Sequence, residues 1–247
     1  MGMPSAMIPS PATDVAGFLG GLVNSTVTVT ELAGRVRDTG GRLTDMAYRG
    51  VLLSTTAMIV RNVALLAILA PAALASASVP LGAMLASALL LAVLAPTEGQ
   101  DKVGAPAIEL ESPFSLRSAL KFGLIFLTLE VVGTVAQALL GQVGFYAVSL
   151  VGGVVSSASA VASAASLAEH ARISPATAST GAVLASIASA MVNLPLVARV
   201  GGHPTLTRRL VLAMSGVSVV GLVGTGSVWL FGLSPFLEST MFALTSR

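Results

Sequence analysis

The sequence predicts an all-α polytopic transmembrane helix bundle of about seven spans. Of its 247 residues, 54% are hydrophobic and only 10% are charged, whereas about a quarter of the residues of a soluble domain are charged. Uncharged runs cover residues 62–97, 131–168, 173–198 and 210–237. Each run exceeds the ~20 apolar residues with which a helix crosses a bilayer, so we expect an integral membrane protein.

Proline, glycine and charged residues divide this apolar sequence into candidate spans. The seven predicted spans are residues 14–35, 46–70, 76–96, 114–140, 144–168, 175–199 and 207–232. The longest polar connection is 97–113, which predicts a linker. On this interpretation a first membrane repeat of three helices, 1–96, precedes a second repeat of four helices, 114–247.

An internal repeat supports the division into two halves. The stretch GGLVNSTVTVTELAG at 20–34 matches GGVVSSASAVASAAS at 152–166 in six of fifteen positions. The next helix repeats as well, since GVLLSTTAMIVRN at 50–62 aligns with GAVLASIASAMVN at 181–193. Four spans separate the starts of the two copies, so the sequence predicts parallel-type repeats, which point the same way through the membrane.

Basic residues predict the orientation of the seven spans. If every span crosses, nine of the thirteen basic residues collect on one face and only three on the other. The positive-inside rule makes the richer face cytoplasmic, which places the N-terminus outside and the C-terminus inside the cell. If one glycine-interrupted segment is instead re-entrant, every later assignment reverses. The nine residues are Arg35, Arg37, Arg42, Arg49, Lys102, Arg117, Lys121, Arg172 and Arg247, and the three are Arg199, Arg208 and Arg209.

Several of these stretches resemble a known bacterial family. GGLVNSTVTVTELA, GVLLSTTAMIVRNVALLAILAP, ELESPFSLRSALKFGLIF and GFYAVSLVGGVVSSASAVASAASLA resemble, in order and spacing, the uncharacterised membrane domain (domain of unknown function 4010) that commonly follows the MgtC/SapB domain. The resemblance implies a multi-pass protein of the cell inner membrane, associated by name with magnesium homeostasis, whose activity is not established. Acidic residues often follow the second glycine pair in that family, but here serines and alanine do, which argues against a carboxylate cation site.

Polar residues line one face of each repeated helix. At 100° per residue Asn24, Thr28 and Glu31 share a face, as do Ser156, Ser159, Ser163 and Ser166. Helix breaks after the glycine pairs would free backbone carbonyls for an ion or solute. The alternative is helix packing, because small residues allow close approach and hydroxyls bond across helices. The predicted pathway or substrate-binding residues are Asn24, Ser25, Thr28, Glu31, Thr55, Asn62, Ser156, Ser157, Ser159, Ser163, Ser186 and Asn193.

Two charges fall near the middle of predicted spans. Arg61 and Glu130 would each cost at least ~2.5 kcal/mol in lipid, so each must face protein or water. We predict that they form a buried pair, with either a structural or a gating role. Glu31 lies four residues before Arg35, and an i, i+4 surface pair explains it better than an ion ligand does.

The remaining sequence features limit the classes of function that the protein can have. The chain has no cysteine and two histidines, it lacks the HExxH, P-loop and GxSxG motifs, and its net charge of +2 does not suggest nucleic-acid binding. We therefore expect no enzyme activity and no cofactor, while a metal site is left open. The preferred function is a channel or transporter for a small ion or polar solute, with Mg²⁺ as the first candidate because of the family resemblance. Because acidic residues are scarce within the spans, a weak, wide pathway or an anion attracted by Arg61 and helix N-termini stays open as well. The alternative is a regulatory or scaffold protein that binds another membrane protein, such as a separately encoded MgtC-like domain.

The sequence also predicts a homodimer. The first repeat is one helix short of the second, and small-residue faces offer close packing to another copy of the chain. The glycines that carry this prediction are Gly216, Gly221 and Gly224.

Overall fold

The part of the chain that the structure describes is all-helical, and its long apolar helices indicate a membrane protein. The computed structural model describes residues 11–96 and 116–230, which contain helices and short turns without a strand. The helices are α1 (Pro11–Asp38), α2 (Thr44–Leu69), α3 (Pro71–Val93), α4 (Leu116–Glu169), α5 (Pro175–Gly201) and α6 (Pro204–Leu230). All seven predicted spans thus fall on helices, and the predicted linker 97–113 lies outside the described residues.

The number of spans differs from the prediction. Among the described residues five helices are long and apolar enough to cross a membrane, namely Thr44–Leu69, Pro71–Val93, Ala119–Glu169, Pro175–Gly201 and Pro204–Leu230. The predicted first span, 14–35, belongs to α1, which is not among them. The predicted spans 114–140 and 144–168 both fall within the single element α4.

Local sequence explains where most helices begin and end. Gly40 and Gly41, with φ of +61° and +88°, turn the chain after α1, a conformation that glycine adopts without a steric penalty. Prolines stand at the first positions of α3, α5 and α6, where the missing N–H costs nothing. Ser174 caps α5, because its Oγ accepts the backbone N–H of Thr177 at 3.1 Å.

The 54 residues of α4 are not one straight helix. Gly141 (φ +64°, ψ −151°) and Ser156 (φ −163°, ψ +104°) both have non-helical backbone angles. They divide α4 into three segments, which we call the leading helix (116–140), the first arm (142–155) and the second arm (157–169). The predicted span 144–168 therefore consists of two helical segments, because the extended residue Ser156 interrupts it, close after the second glycine pair.

Contacts group the described residues into two compact units that both draw on the two sequence halves. The first unit comprises described residues of Met1–Met58, Ala88–Glu111 and Asn193–Ala213, and the second those of Ile59–Ser87, Ser112–Val192 and Met214–Arg247. Buried apolar side chains of α1, α2 and α6, including Leu32, Leu52 and Leu206, form the core of the first unit. In the second unit, residues 157–165 of the second arm are all buried.

Candidate functional site

The first arm of α4 runs back along the leading helix. A Cβ on Gly144 would meet the carbonyl of Ala136, and one on Gly133 would lie 3.7 Å from the ring of Phe145. Farther along, a Cβ on Gly152 would lie 2.9 Å from the methyl groups of Leu129. As residue numbers rise in the first arm they fall in the leading helix, so the two segments are antiparallel.

The second arm returns in the opposite direction. Ser159 Oγ donates to the carbonyl of Phe122 at 3.4 Å, and Ser166 Oγ donates to Glu130 Oε1 at 3.1 Å. Residue numbers now rise together, so the second arm is parallel to the leading helix.

One glycine shows how far the two arms fold back on each other. Leu167 and Phe145 both come within 4 Å of the position that a Cβ on Gly133 would occupy. In a continuous helix these residues would be about 33 Å apart. Residues 142–169 therefore form a helical hairpin with its tip at Ser156 and both ends at the same level. We call this segment the α4 hairpin.

The tip of the hairpin is a capped helix start. Ser156 Oγ accepts the backbone N–H of Ser159 at 3.3 Å and lies 3.0 Å from Ser159 Oγ. This is the arrangement of an N-cap, which satisfies one of the amides left without a partner at the first turn of a helix. The positive end of the second arm's helix dipole is thus located at the tip.

Two neighbouring helices bring polar groups to the tip. Arg61 of α2 donates from Nη2 to Ser157 Oγ at 3.4 Å. The next residue, Asn62, is fully buried and donates from Nδ2 to Ser186 Oγ of α5 at 2.9 Å. Gly153 lies directly against the backbone of α5. The tip, α2 and α5 therefore meet in one polar cluster, which we call the tip cluster: Arg61, Asn62, Ser156, Ser157, Ser159 and Ser186.

Small residues allow the second arm to occupy the interior of its unit. Its buried stretch, 157–165, contains only serine, alanine and valine. Such residues let helices approach closely in a membrane, where water does not drive apolar groups together. The predicted residues Ser157, Ser159 and Ser163 are all buried, so the structure places them at packed positions.

Other predicted residues have partners within their own helix. Thr55 Oγ1 donates to the carbonyl of Val51 at 3.0 Å, and Ser186 Oγ donates to that of Ala182 at 2.8 Å. Glu31 forms an exposed ion pair with Arg35 at 3.0 Å, as the i, i+4 spacing predicts.

The remaining predicted residues lie in the first unit. Ser25, Thr28 and Asn193 are buried there, and Oδ1 of Asn193 has no hydrogen-bond partner among the described residues. For Asn24 the structure describes the backbone, while the side chain lies outside what it describes.

The structure does not bring Arg61 and Glu130 together. Arg61 contacts Ser157, whereas Glu130 contacts Ser166. These two serines are nine residues apart on the second arm, or about 13.5 Å along a helix. The prediction assumed that mid-span charges share one depth, but the hairpin holds the two side chains at different levels.

The structure contains a small cavity that the sequence analysis did not predict. A cavity of about 40 Å³, enough for water, lies among α3, α5 and α6, near the 3.3 Å hydrogen bond from Trp229 Nε1 to Thr180 Oγ1. It is lined by Ser76, Pro80, Ala176, Ser179, Thr180, Thr225, Val228 and Trp229, which include none of the predicted pathway residues. Within residues 11–96 and 116–230, no three histidine or acidic side chains are grouped as a metal site would require.

Comparison with known proteins identifies a family and no closer relative. No curated protein and no solved structure matches the chain. A family model described as a domain of unknown function matches residues 10–201. Because this match covers most of the sequence, the protein belongs to the DUF4010 family.

Proposed function

We propose that the protein is a membrane transport protein, a channel or transporter, whose substrate site includes the tip cluster. The observation that carries this proposal is the α4 hairpin, which turns back at Ser156 beside Arg61. Non-helical backbone at membrane depth is tolerated only where protein buries it or where it lines a cavity. Half-helices that end within the membrane are a recurrent way to build substrate sites in transporters.

The chemistry of the tip cluster favours a small anion over Mg²⁺. Arg61 and the amino end of the second arm are both electropositive, and helix amino ends bind anions readily. Mg²⁺ prefers carboxylates and retained water molecules, whereas the tip cluster contains an arginine, an asparagine and serines. The magnesium association that the family resemblance implies therefore receives no support from these residues.

Ion flux in liposomes tests the proposal directly. The purified chain would be reconstituted into phosphatidylethanolamine and phosphatidylglycerol vesicles, and release of chloride, nitrate and phosphate would be measured beside uptake of Mg²⁺. We expect flux of at least one anion above that of protein-free vesicles. The variant Arg61→Met should lower this flux at least tenfold, because it removes the positive charge at the tip.

Two further variants make the flux experiment interpretable. Arg172→Met removes an arginine from an exposed turn and should leave the flux unchanged. If Arg61→Met does not fold, Ser157→Ala removes one hydrogen-bond partner of Arg61 while keeping the charge, and should still reduce the flux. Absence of flux for all four ions from folded protein would refute the transport proposal.

The alternative function is a scaffold or regulatory membrane protein. It is favoured by the hydroxyls that are satisfied within their own helices, such as those of Thr55 and Ser186, because these need no substrate. An MgtC-like membrane domain is the partner that the family resemblance suggests. Co-purification with such a domain from cells that express both, together with absent ion flux, would support this alternative.

Homodimer formation is part of the proposal, with a different contact surface. A Cβ on Gly221 would meet Met84, and one on Gly224 would meet Pro80, so these two predicted interface glycines already pack within the chain, whereas the third, Gly216, is exposed. The leading helix instead exposes large apolar side chains, Leu124 and Leu139 among them. We expect a dimer through this helix in nanodiscs, and a monomer by mass measurement would contradict it.

A further inference from the structure

Helix α1 has the same local geometry as the α4 hairpin. A Cβ on Gly20 would lie 2.5 Å from Thr28 Oγ1, although eight residues of a straight helix rise about 12 Å. In the hairpin, a Cβ on Gly152 would lie 3.2 Å from Ala160 Cβ, again eight residues later. Both positions of the second pair are 132 residues after those of the first. The chain therefore folds back in α1 as well, around residue 24, the counterpart of Ser156.

The order of elements after each hairpin is also the same. The 28 residues of α1 precede α2 and α3, and the α4 hairpin at 142–169 precedes α5 and α6. The turn after each hairpin spans five residues, 39–43 and 170–174. From this correspondence we infer that residues 11–93 and 142–230 are two copies of one unit, a re-entrant hairpin followed by two crossing helices, inserted in opposite orientations. This inference goes beyond the proposed function, since it holds for a transporter and for a scaffold alike.

The opposite orientation follows from counting crossings. A re-entrant hairpin returns to the face from which it started, so it contributes no crossing. Among the described residues between the two hairpins, the elements that cross are α2, α3 and the leading helix. Three crossings bring the second hairpin to the opposite face, so the copies are inverted rather than parallel.

Contacts within the first unit agree with this count. Gly41 lies against the imidazole of His203, and a Cβ on Gly201 would lie 3.5 Å from Ala33 Cβ. The turn after α1 and the turn between α5 and α6 therefore lie on the same face. An even number of crossings must separate them, and α2, α3, the leading helix and α5 make four. A crossing at 142–169 would make five.

The distribution of basic residues favours the same topology. With two re-entrant hairpins, one face receives ten basic residues and the other only Arg172 and Arg247. The seven-span arrangement distributes them nine to three, so the inverted arrangement satisfies the positive-inside rule better. It places the turn 39–43 in the cytoplasm and the turn 170–174 outside. The ten residues are Arg35, Arg37, Arg42, Arg49, Lys102, Arg117, Lys121, Arg199, Arg208 and Arg209.

If the protein transports a substrate as proposed above, the inverted arrangement also gives the first hairpin a role, and this role alone rests on the proposed function. The turn of the first hairpin contains Ser25 and Thr28, whose counterparts in the α4 hairpin are Ser157 and Ala160. This turn enters the membrane from the cytoplasmic face. Inverted repeats of this kind support alternating access, in which equivalent elements open opposite faces of the membrane in turn. Each hairpin is thus positioned to control access from its own face.

Cysteine labelling tests the topology, because the native chain contains no cysteine. Single cysteines would replace the exposed residues Asp38, Arg172 and Thr205, and intact cells would be treated with a membrane-impermeant maleimide. We expect only Arg172→Cys to react in intact cells, and all three variants to react after permeabilisation. In the seven-span arrangement only Thr205→Cys would react in intact cells, and that result would overturn the inference.

A second measurement does not depend on these substitutions. Alkaline phosphatase fused after Arg247 should be active, because the inverted arrangement places the C-terminus outside, whereas the seven-span arrangement leaves the enzyme inactive in the cytoplasm. The cysteine-free chain is the labelling control, and equal melting temperatures show that each variant is folded. Labelling reports topology and not flux, so its outcome is independent of the transport experiment.

Discussion

Gly153 offers the sharpest test of how the α4 hairpin packs. A Cβ at this position would lie 2.6 Å from Ala185 Cα and 2.8 Å from Ala185 C. These are backbone atoms of α5, so they cannot rotate away as a side chain could. We expect Gly153→Ala to push the first arm away from α5, and overpacking of this kind typically costs ~1–3 kcal/mol.

A matched glycine removes the effect of helix propensity from the measurement. Alanine is more favourable than glycine inside a helix by ~0.5–1 kcal/mol, which applies to both variants. A Cβ on Gly216 of α6 would have nothing within 4 Å, so Gly216→Ala should stabilise the protein by that amount. The difference between the two variants then reports the clash alone, and for a chain of this size ~1–3 kcal/mol corresponds to roughly 2–12 °C in melting temperature.

Thermal unfolding in mild detergent, followed by circular dichroism, measures this difference. Both variants would be purified in the same detergent as the native chain. If Gly153→Ala melted at or above the temperature of Gly216→Ala, the first arm would not rest on α5, and the placement of the tip beside α2 and α5 would be refuted.

Three further substitutions test individual contacts by the same melting experiment. Ser156→Ala removes the cap of the second arm and should cost ~0.5–2 kcal/mol, whereas Ser156→Thr should keep most of the stability; equal losses would argue against a cap. Asn62→Ala and Ser186→Ala remove the two ends of one buried hydrogen bond, so their effects should be non-additive by at least ~0.5 kcal/mol, and strict additivity would contradict the bond. Glu31→Gln breaks an exposed pair with Arg35 and should change stability by less than ~1 kcal/mol, so a larger loss would indicate an additional role for the carboxylate.

Helix positions were predictable because they depend on local sequence. The predicted spans 46–70 and 175–199 agree closely with α2 and α5, since apolar length and the prolines at helix starts mark them directly. The pair between Glu31 and Arg35 was also predictable, because it requires only the geometry of one helix. Both results come from information within about one helix length.

The path of the chain through the membrane was not predictable from hydropathy. Two arms of 14 and 13 residues have together the length and apolar composition of one span. Only the backbone angles at Ser156 distinguish a hairpin from one straight helix over these residues. The predicted pair of Arg61 and Glu130 was not formed for the same reason, because a hairpin changes the depth of every residue after its tip. The basic residues favour the inferred topology, since their distribution becomes more asymmetric when residues 142–169 do not cross.

The serine stripe of the second arm follows from packing as much as from function. An arm that is buried over residues 157–165 must consist of small side chains, and a small side chain that tolerates either a polar or an apolar neighbour is alanine or serine. The stripe alone therefore does not distinguish a substrate path from a packed helix. Arg61 favours the proposed substrate path, because a packed apolar environment gives no reason to retain a charge that costs at least ~2.5 kcal/mol in lipid. The functional signal is consequently strongest at the tip, where this charge meets the capped start of the second arm, and substitutions there should affect flux more than those at Ser163.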